Sequence, residues 1–412
     1  MKEKYKVIDL FAGCGGLLDG FLQTNKYIDV ASVEWLKPQV NTLIKRLEDK
    51  WNISDANERV MYFDIQRENE LFLGWKDEKF GESKGLDHFV KKAGGIDIII
   101  GGPPCQAYSI AGRVRDENGM KDDYRNYLFE HYLSVVKRYS PKIFVFENVP
   151  GMLSATPNGI LITNLIREGF NSIGYEIVDD IKKYAKVDAS DFGVPQARKR
   201  LIIVGVKKGI CKNEQDLLKN FYEEILPKYK VSKKVTVREA IEDLPKFNPI
   251  FEEEFHKVKK AYKIRGKSSE ITWHEARYHN LRDMGIFKLL TEDLESGECK
   301  YTNSKALSKI YEEKVGSRSP IHRYHVLRPD EPSTTIIAHL HKDGNRFIHY
   351  DSSQCRTLTP REAARLQSFD DDFEFVGSRS DVYKMIGNAV PPKLSKQIAL
   401  AIWDMLSIIE NK

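Results

Sequence analysis

Along its first two hundred positions the chain alternates short apolar runs with longer stretches of helical apolar spacing. The runs Tyr5 to Phe11, Ile28 to Glu34, Ile96 to Gly101, Ile143 to Glu147 and Leu201 to Val206 are strand-sized and rich in branched side chains. The stretches Leu17 to Gln23, Tyr127 to Arg138 and Ile160 to Glu168 read as helices. That rhythm predicts an α/β fold, a doubly wound and mostly parallel sheet covered by helices on both faces. After Val206 the rhythm fades through about residue 350. Lys207, Lys208 and Lys212 are followed by Lys228, Lys230, Lys233 and Lys234, and Lys257 to Lys267 holds six Lys/Arg residues around Tyr262. Taken alone, such a run reads best as a solvated helix face. Order returns with a helix around Pro360 to Gln367, a segment Met385 to Pro392, and an amphipathic helix from Leu394.

With 412 residues, one large domain plus a smaller one is the natural division. A hydrophobic share of 41% and a charged share of 30% are those of a soluble globular protein. No apolar run is long enough to span a bilayer, so no membrane partner is expected. Met1-Lys2-Glu3-Lys4 leads straight into an apolar strand, without the core of a signal peptide. The five cysteines are odd in number and form no Cys-x-x-Cys pair, which disfavours disulfide scaffolds and zinc ribbons and suits a reducing cytosol. A net charge of +5 says little about partners; local basic clusters matter more for nucleic acid.

Several short motifs carry chemistry. Asp9-Leu10-Phe11-Ala12-Gly13-Cys14-Gly15-Gly16 ends a strand in a glycine turn before a helix, where a ligand can approach the backbone. Its Gly-x-Gly-Gly spacing differs from the dinucleotide fingerprint, and a purely structural turn is the competing reading. The next strand ends at Glu34, an acid placed to bind ribose hydroxyls. Gly101-Gly102-Pro103-Pro104-Cys105-Gln106 follows another strand, so Cys105 sits at a carboxyl edge, where open α/β sheets place ligands. Residues 107 to 125, with Gly112, Gly119, Arg113 and Arg115, have the composition of a basic loop able to close over a bound strand. Phe146-Glu147-Asn148-Val149-Pro150 ends a further strand with an acid able to hold or protonate a heterocycle. Gln196-Ala197-Arg198-Lys199-Arg200 enters the last strand with two guanidiniums on one face. One of these would orient Glu147 and the other a substrate.

In this order, and together with Gly387-Asn388-x-Val390-Pro391 and the segment Arg356 to Gln367, these motifs resemble the DNA (cytosine-5) methyltransferase family of prokaryotic restriction-modification systems. The resemblance covers residues 5–206 and about 356–400. It departs from the family pattern at Phe63, where glycine is common, at Tyr108 for phenylalanine, at Asp370 for proline and at Met385 for glutamine. None of these touches a reacting group.

The resemblance implies a class I S-adenosylmethionine methyltransferase fold with a second, smaller target-recognition domain. Residues 1–206, completed by 378–412, would form the catalytic and cofactor-binding domain, and 207–377 the target-recognition domain. S-adenosyl-L-methionine would be held by Phe11, Gly13, Cys14, Gly15, Gly16 and Leu17 at its methionine end. Glu34 would hold its ribose beside Trp35, Asp64 and Ile65 would frame its adenine, and Gly102, Pro104, Asn388 and Val390 would complete the pocket. The resemblance implies Cys105 as the nucleophile that adds to carbon 6 of a flipped-out cytosine. Glu147 would meet the ring's N3 and amino edge, and Arg198 would brace it with Arg200 nearby. Gln106 and Ser109 would fill the gap in the duplex, with Arg113 and Arg115 on the DNA. Double-stranded DNA is the implied partner, in a prokaryotic cytoplasm. The resemblance also admits a cognate restriction endonuclease in the same system, without a stable complex, and a monomeric enzyme.

Three rivals stand behind this reading. A tRNA-modifying relative would carry a Cys-Phe-Thr signature, which is absent. An inactive relative would tend to lose Cys105 or Glu147, and a nicotinamide enzyme would use the other glycine spacing. The pairs His274 and His279, His322 and His325, and His339 and His341 lack a cysteine or acid at ligand spacing, so structural or DNA-contacting roles are expected rather than a metal site.

Overall fold

The computed structural model describes residues 3–103, 128–155, 161–264, 271–317, 324–342 and 344–411. Among these, eight strands form one sheet: β1 (Tyr5–Leu10), β2 (Tyr27–Glu34), β3 (Val60–Tyr62), β4 (Ile98–Gly101), β5 (Ile143–Asn148), β6 (Tyr175–Ile177), β7 (Lys186–Asp188) and β8 (Lys199–Lys207). Their order is β3-β2-β1-β4-β5-β8-β6, with β7 also pairing β8. The first five are mutually parallel, and β8 runs antiparallel to β5, β6 and β7. The expected doubly wound, mostly parallel sheet is therefore present. The central strands are largely apolar because both faces are covered; every residue of β4 is buried.

Strand order reverses between β1 and β4. The chain winds outward from β1 through β2 to β3 on one side, and from β4 to β5 on the other. Open α/β sheets leave a crevice at such a switch point, beyond the carboxyl ends of the strands. Register aligns those ends: Leu10 pairs with Val33 and Gly101, and Gly101 with Phe146. Because β8 is antiparallel, its first residues Lys199 and Arg200 reach the same edge.

The chain divides into two compact units. The first comprises residues 1–193, 198–232 and 389–412, and the second residues 194–197 and 233–388. In the first, helix α1 (Gly16–Leu22) follows β1 and helix α2 (Lys37–Asp49) follows β2. Helices α3 (Leu128–Tyr139) and α4 (Ile162–Ser172) flank β5 in sequence. Asp19 of α1 and Arg46 of α2 form a buried ion pair at 2.7 Å, and Trp51 Nε1 also donates to Asp19, at 3.0 Å. The second unit has helices α5 (Leu281–Glu295), α6 (Ser304–Val315), α7 (Pro360–Leu366) and α8 (Arg379–Asn388). Ile286, Phe287 and Leu290 of α5 pack with Leu307 and Ile310 of α6 and with Tyr324 and Ile348.

The final helix, α9 (Pro392–Glu410), belongs to the first unit and lies on α1. At Gly20 the helices are so close that a Cβ would stand 2.4 Å from the Pro392 carbonyl and 2.6 Å from the Lys396 nitrogen. Ser395 Oγ donates to the Leu17 carbonyl, and Tyr27 Oη to that of Ala399 at 2.6 Å. No helix among the described residues is long and apolar enough to cross a membrane.

Three short strands, β3, β6 and β7, were not expected from the sequence, because three residues carry too little pattern to register as a period. The first strand ends at Leu10 rather than Phe11, whose φ of 57° takes it out of the extended region.

Candidate active site

Beyond β1 the chain turns through Phe11, Gly13 and Gly15, all with positive φ, into α1. Gly15 has no alternative: its φ is 90°, and a Cβ would lie 2.4 Å from Leu43 Cδ1 of α2. Glu34, at the end of β2, organises this turn. Its Oε2 accepts from Gly13 N at 2.8 Å, and its Oε1 accepts from Trp35 N and Leu36 N at 2.9 Å each. Burial raises the Glu34 pKa, while these three amides pull it down. Phe63 N donates to the Glu34 carbonyl at 3.0 Å, which ties in the next segment, Asp64 and Ile65. Ile65 is buried, and Asp64 Oδ1 accepts from Gln66 N at 3.1 Å. Trp35 leaves 46% of its surface exposed beside Glu34, an unusual state for so large an apolar side chain. Leu17 and Gly16 are buried at the start of α1. Cys14 is buried too, and burial pushes its thiol up to about 12, so it is inert as a nucleophile.

The second cluster lies beyond β4, β5 and β8. Glu147 pairs in register with Ile202, two residues after Arg200, and Arg200 Nε lies 2.9 Å from Glu147 Oε1. Both side chains are largely buried, at 13% and 12% exposure. Burial raises the Glu147 pKa; the charges of Arg200 and Arg198 oppose it without overcoming it. Arg198 is fully buried and donates to the Ala389 carbonyl at 3.0 Å, so the direct partner of the acid is Arg200. Burial and the neighbouring Arg200 charge depress the Arg198 pKa, and Glu147 acts against them. Gly102 leaves the room this acid occupies: a Cβ there would stand 2.6 Å from Glu147 Oε2.

Two contributors escaped sequence reasoning. Asn148 Nδ2 donates to the Pro103 carbonyl at 3.2 Å, so β5 supports the chain just before Pro104 and Cys105. The signal was its place in the Glu147-Asn148-Val149 motif. Asp9 is buried inside β1 with neither carboxylate oxygen hydrogen-bonded. Burial, with Asp29 and Glu34 nearby, drives its pKa well up, although the Leu18 amide pulls the other way. An acid inside an apolar strand was the available signal.

Pro104, Cys105, Gln106, Ser109, Arg113 and Arg115 lie outside the described residues. Val390 is buried in the first unit, whereas Asn388 is exposed in the second. Gln196 also belongs to the second unit, fully buried, where its Nε2 donates to Gln367 Oε1 at 2.5 Å and its Oε1 accepts from Ile336 N at 2.9 Å. Three histidines of that unit, His274, His279 and His349, are buried in its interior. His274 bonds Thr359 Oγ1 and the Pro245 carbonyl, and His279 bonds Thr357 Oγ1. His349 faces the buried Arg356–Glu362 pair, and burial holds both His279 and His349 down to about 3. They are uncharged at neutral pH.

Known proteins resemble the chain over nearly its whole length. The sequence matches the model of the C-5 cytosine-specific DNA methylases over residues 5–404. It is 32% identical to the type II methyltransferase M.Bpa9945I of Bacillus paralicheniformis, covering 97% of this chain and 99% of that one. It is 28% identical to the DNA (cytosine-5-)-methyltransferase M.ApeKI of Aeropyrum pernix, covering 99% and 100%. Among solved structures, a candidate DNA modification methyltransferase encoded within a prophage (E. coli) superposes with a TM-score of 0.58 at 25% identity, over 98% of this chain and 100% of that one.

Proposed function

The chain belongs to the C-5 cytosine-specific DNA methylase family and is a cytosine-5 DNA methyltransferase of restriction-modification type; from that premise we propose that it methylates a flipped-out cytosine in double-stranded DNA, at a specific sequence, by covalent addition of Cys105. The observation that carries this reading is the buried Glu147–Arg200 pair, set beside Gly102 at the carboxyl edge of adjacent strands.

The residues present fit S-adenosyl-L-methionine. The turn from Phe11 to Gly16 brings bare backbone to the switch point for the methionine end, with Leu17 behind it. Glu34 and the exposed Trp35 offer an acid and a ring to the nucleoside, followed by Asp64 and Ile65. Gly102, Pro104, Asn388 and Val390 complete the site in this reading. When bound, the cofactor supplies an electrophilic methyl group on a sulfonium.

The remaining chemistry falls to the chain. The Cys105 thiolate adds to carbon 6 of cytosine, forming an S–C bond and shifting ring electrons toward carbon 5 and N3. Glu147, whose raised pKa favours its protonated form, delivers a proton to N3 as charge develops there. Arg200 orients that carboxyl directly and Arg198 lends its charge from behind. Once carbon 5 is methylated, a base removes its proton, the S–C bond breaks to free Cys105, and N3 returns its proton to Glu147. A stacked base is beyond reach of such a site, so the cytosine leaves the duplex. Gln106 and Ser109 then take its place, with Arg113 and Arg115 on the DNA.

Residues 207–377 choose the target in this reading, while 1–206 and 378–412 perform the chemistry. We further propose a prokaryotic cytoplasm, a monomeric enzyme and a cognate restriction endonuclease in the same system, without a stable complex. Duplex DNA containing 5-fluorocytosine tests the mechanism, since no removable proton remains at carbon 5. The wild-type protein should form a complex that survives a denaturing gel, and Cys105→Ser should not. Absence of that complex at sites shown by bisulfite sequencing to be methylated would overturn the covalent route.

A further inference from the structure

The cofactor motifs give no role to the hairpin that follows Asp64 and Ile65, in which Trp75–Asp77 pairs antiparallel with Gly81–Ser83. It is nonetheless fastened to them. Phe63, which stands where the family commonly has glycine, is fully buried and stacks on Trp75 with ring centroids 3.8 Å apart and planes at 22°. It meets Phe80 edge-on at 5.2 Å. Arg67 covers the other side, its guanidinium 4.8 Å from the Phe63 ring and held by Asp77 at 2.7 Å and by Glu70. Asp77 Oδ1 also accepts from Phe80 N at 2.6 Å, which closes the hairpin's own turn. At the tip, Lys79 Nζ lies 4.5 Å from the Phe80 ring and 5.8 Å from the ring of Trp35.

We infer that the hairpin Trp75–Ser83 is a clamp on Trp35, and that Lys79 is a positioning residue for the cofactor's nucleoside. An ammonium is attracted to the face of an indole. Seated against Trp35, Lys79 restrains a ring that is otherwise 46% exposed, so the ring is oriented before the nucleoside arrives. The aromatic block of Phe63, Trp75 and Phe80 supplies the rigid base from which a flexible lysine can do this. Glycine at position 63 would remove that base. A lysine merely solvated at a hairpin tip is the alternative, and it predicts no effect on cofactor affinity.

The inference rests on the proposed role of Trp35 at the cofactor, and the test separates the two. Titration calorimetry with S-adenosylmethionine on the full chain compares wild type, Lys79→Ala, Lys79→Arg, Trp35→Ala and the double variant Lys79→Ala/Trp35→Ala. Lys79→Ala should weaken binding by about two- to fivefold, the range expected of an exposed cation–π contact. It should raise the KM for the cofactor at constant kcat and leave the thermal midpoint unchanged, and Lys79→Arg should restore affinity. In the Trp35→Ala background, Lys79→Ala should cost nothing more. If Lys79→Ala has no effect, or the same effect with and without Trp35, the clamp is wrong while the cofactor site stands. If Trp35→Ala itself leaves binding unchanged, the assignment of Trp35 fails and the clamp falls with it.

Discussion

Arg200 reaches diagonally across the β5–β8 ladder to Glu147, placing Nε 2.9 Å from Oε1 in a largely buried ion pair. Despite that pairing, burial keeps the Glu147 pKa above its ordinary value. An acid needed in its protonated form works below its pKa and is lost as pH rises through it. Arg200→Gln removes a charge that holds this pKa down, so the alkaline limb of kcat/KM should move to higher pH. Activity at neutral pH should fall, by up to about a hundredfold if the carboxyl loses its orientation. Rate profiles between pH 6 and 10 check this, and a limb that moves to lower pH contradicts the acid role of Glu147.

Glu34→Ala should weaken S-adenosylmethionine binding by about tenfold to a hundredfold, the scale of lost hydrogen bonds to a charged group. The loss has two sources: the proposed ribose contact and the Gly13, Trp35 and Leu36 amides, which lose their acceptor. DNA affinity should stay within about twofold, because no cofactor group contributes to phosphate contacts. Parallel loss of both affinities in calorimetry would show that Glu34 supports the fold as a whole.

Asp9 should make the protein less stable as pH rises. The unfolded chain releases this proton above about pH 3.9, whereas the folded chain holds it to a much higher pH. The stabilising contribution is therefore complete below the unfolded pKa. It declines toward the folded one, by up to ~1.4 kcal/mol per pH unit. Asp9→Asn has no proton to hold, so its stability relative to wild type should increase from pH 4 to pH 7. Urea unfolding at the two pH values measures this, and a constant difference would show that Asp9 is ionised in the fold.

Gly20→Ala should destabilise the protein by about 1–3 kcal/mol, the usual cost of overpacking, even though alanine favours helix by about 1 kcal/mol. The added methyl meets the Pro392 carbonyl and the Lys396 nitrogen, which are backbone atoms unable to rotate away. Helices α1 and α9 must separate, and α1 carries the glycine turn at its head. Chemical denaturation reads the loss, and an unchanged midpoint would mean that the helices shift freely.

The strands β1, β2, β4, β5 and β8 were legible because each is an apolar run bounded by glycine, proline or charge. The motifs were legible for a related reason: Glu34 and Glu147 are acids placed where an apolar run stops. The hairpin from Trp75 to Ser83 was not, since its residues gain meaning only through Phe63 and Trp35, twelve and forty positions before its first strand. Asp9 was hidden in plain view, because an acid in a strand can face water or core and the alternation around it is apolar on both sides.

From its sequence alone the chain declares an α/β sheet, the edge at which chemistry belongs, and the residue types that a cytosine methyltransferase needs. These are local properties, set by periodicity and by what stands at the end of a run. Only the tertiary structure decides that Arg200 takes the direct contact with Glu147 while Arg198 turns to the Ala389 carbonyl. The two arginines stand at i and i+2 where the chain enters β8, Arg198 just before the strand and Arg200 within it, and local pattern treats them alike. The choice depends on the antiparallel register that sets Ile202 opposite Glu147, and on the return of a segment nearly two hundred residues away that supplies the other acceptor. Register and return are long-range matters, fixed by which faces bury together, and no window of sequence contains both partners.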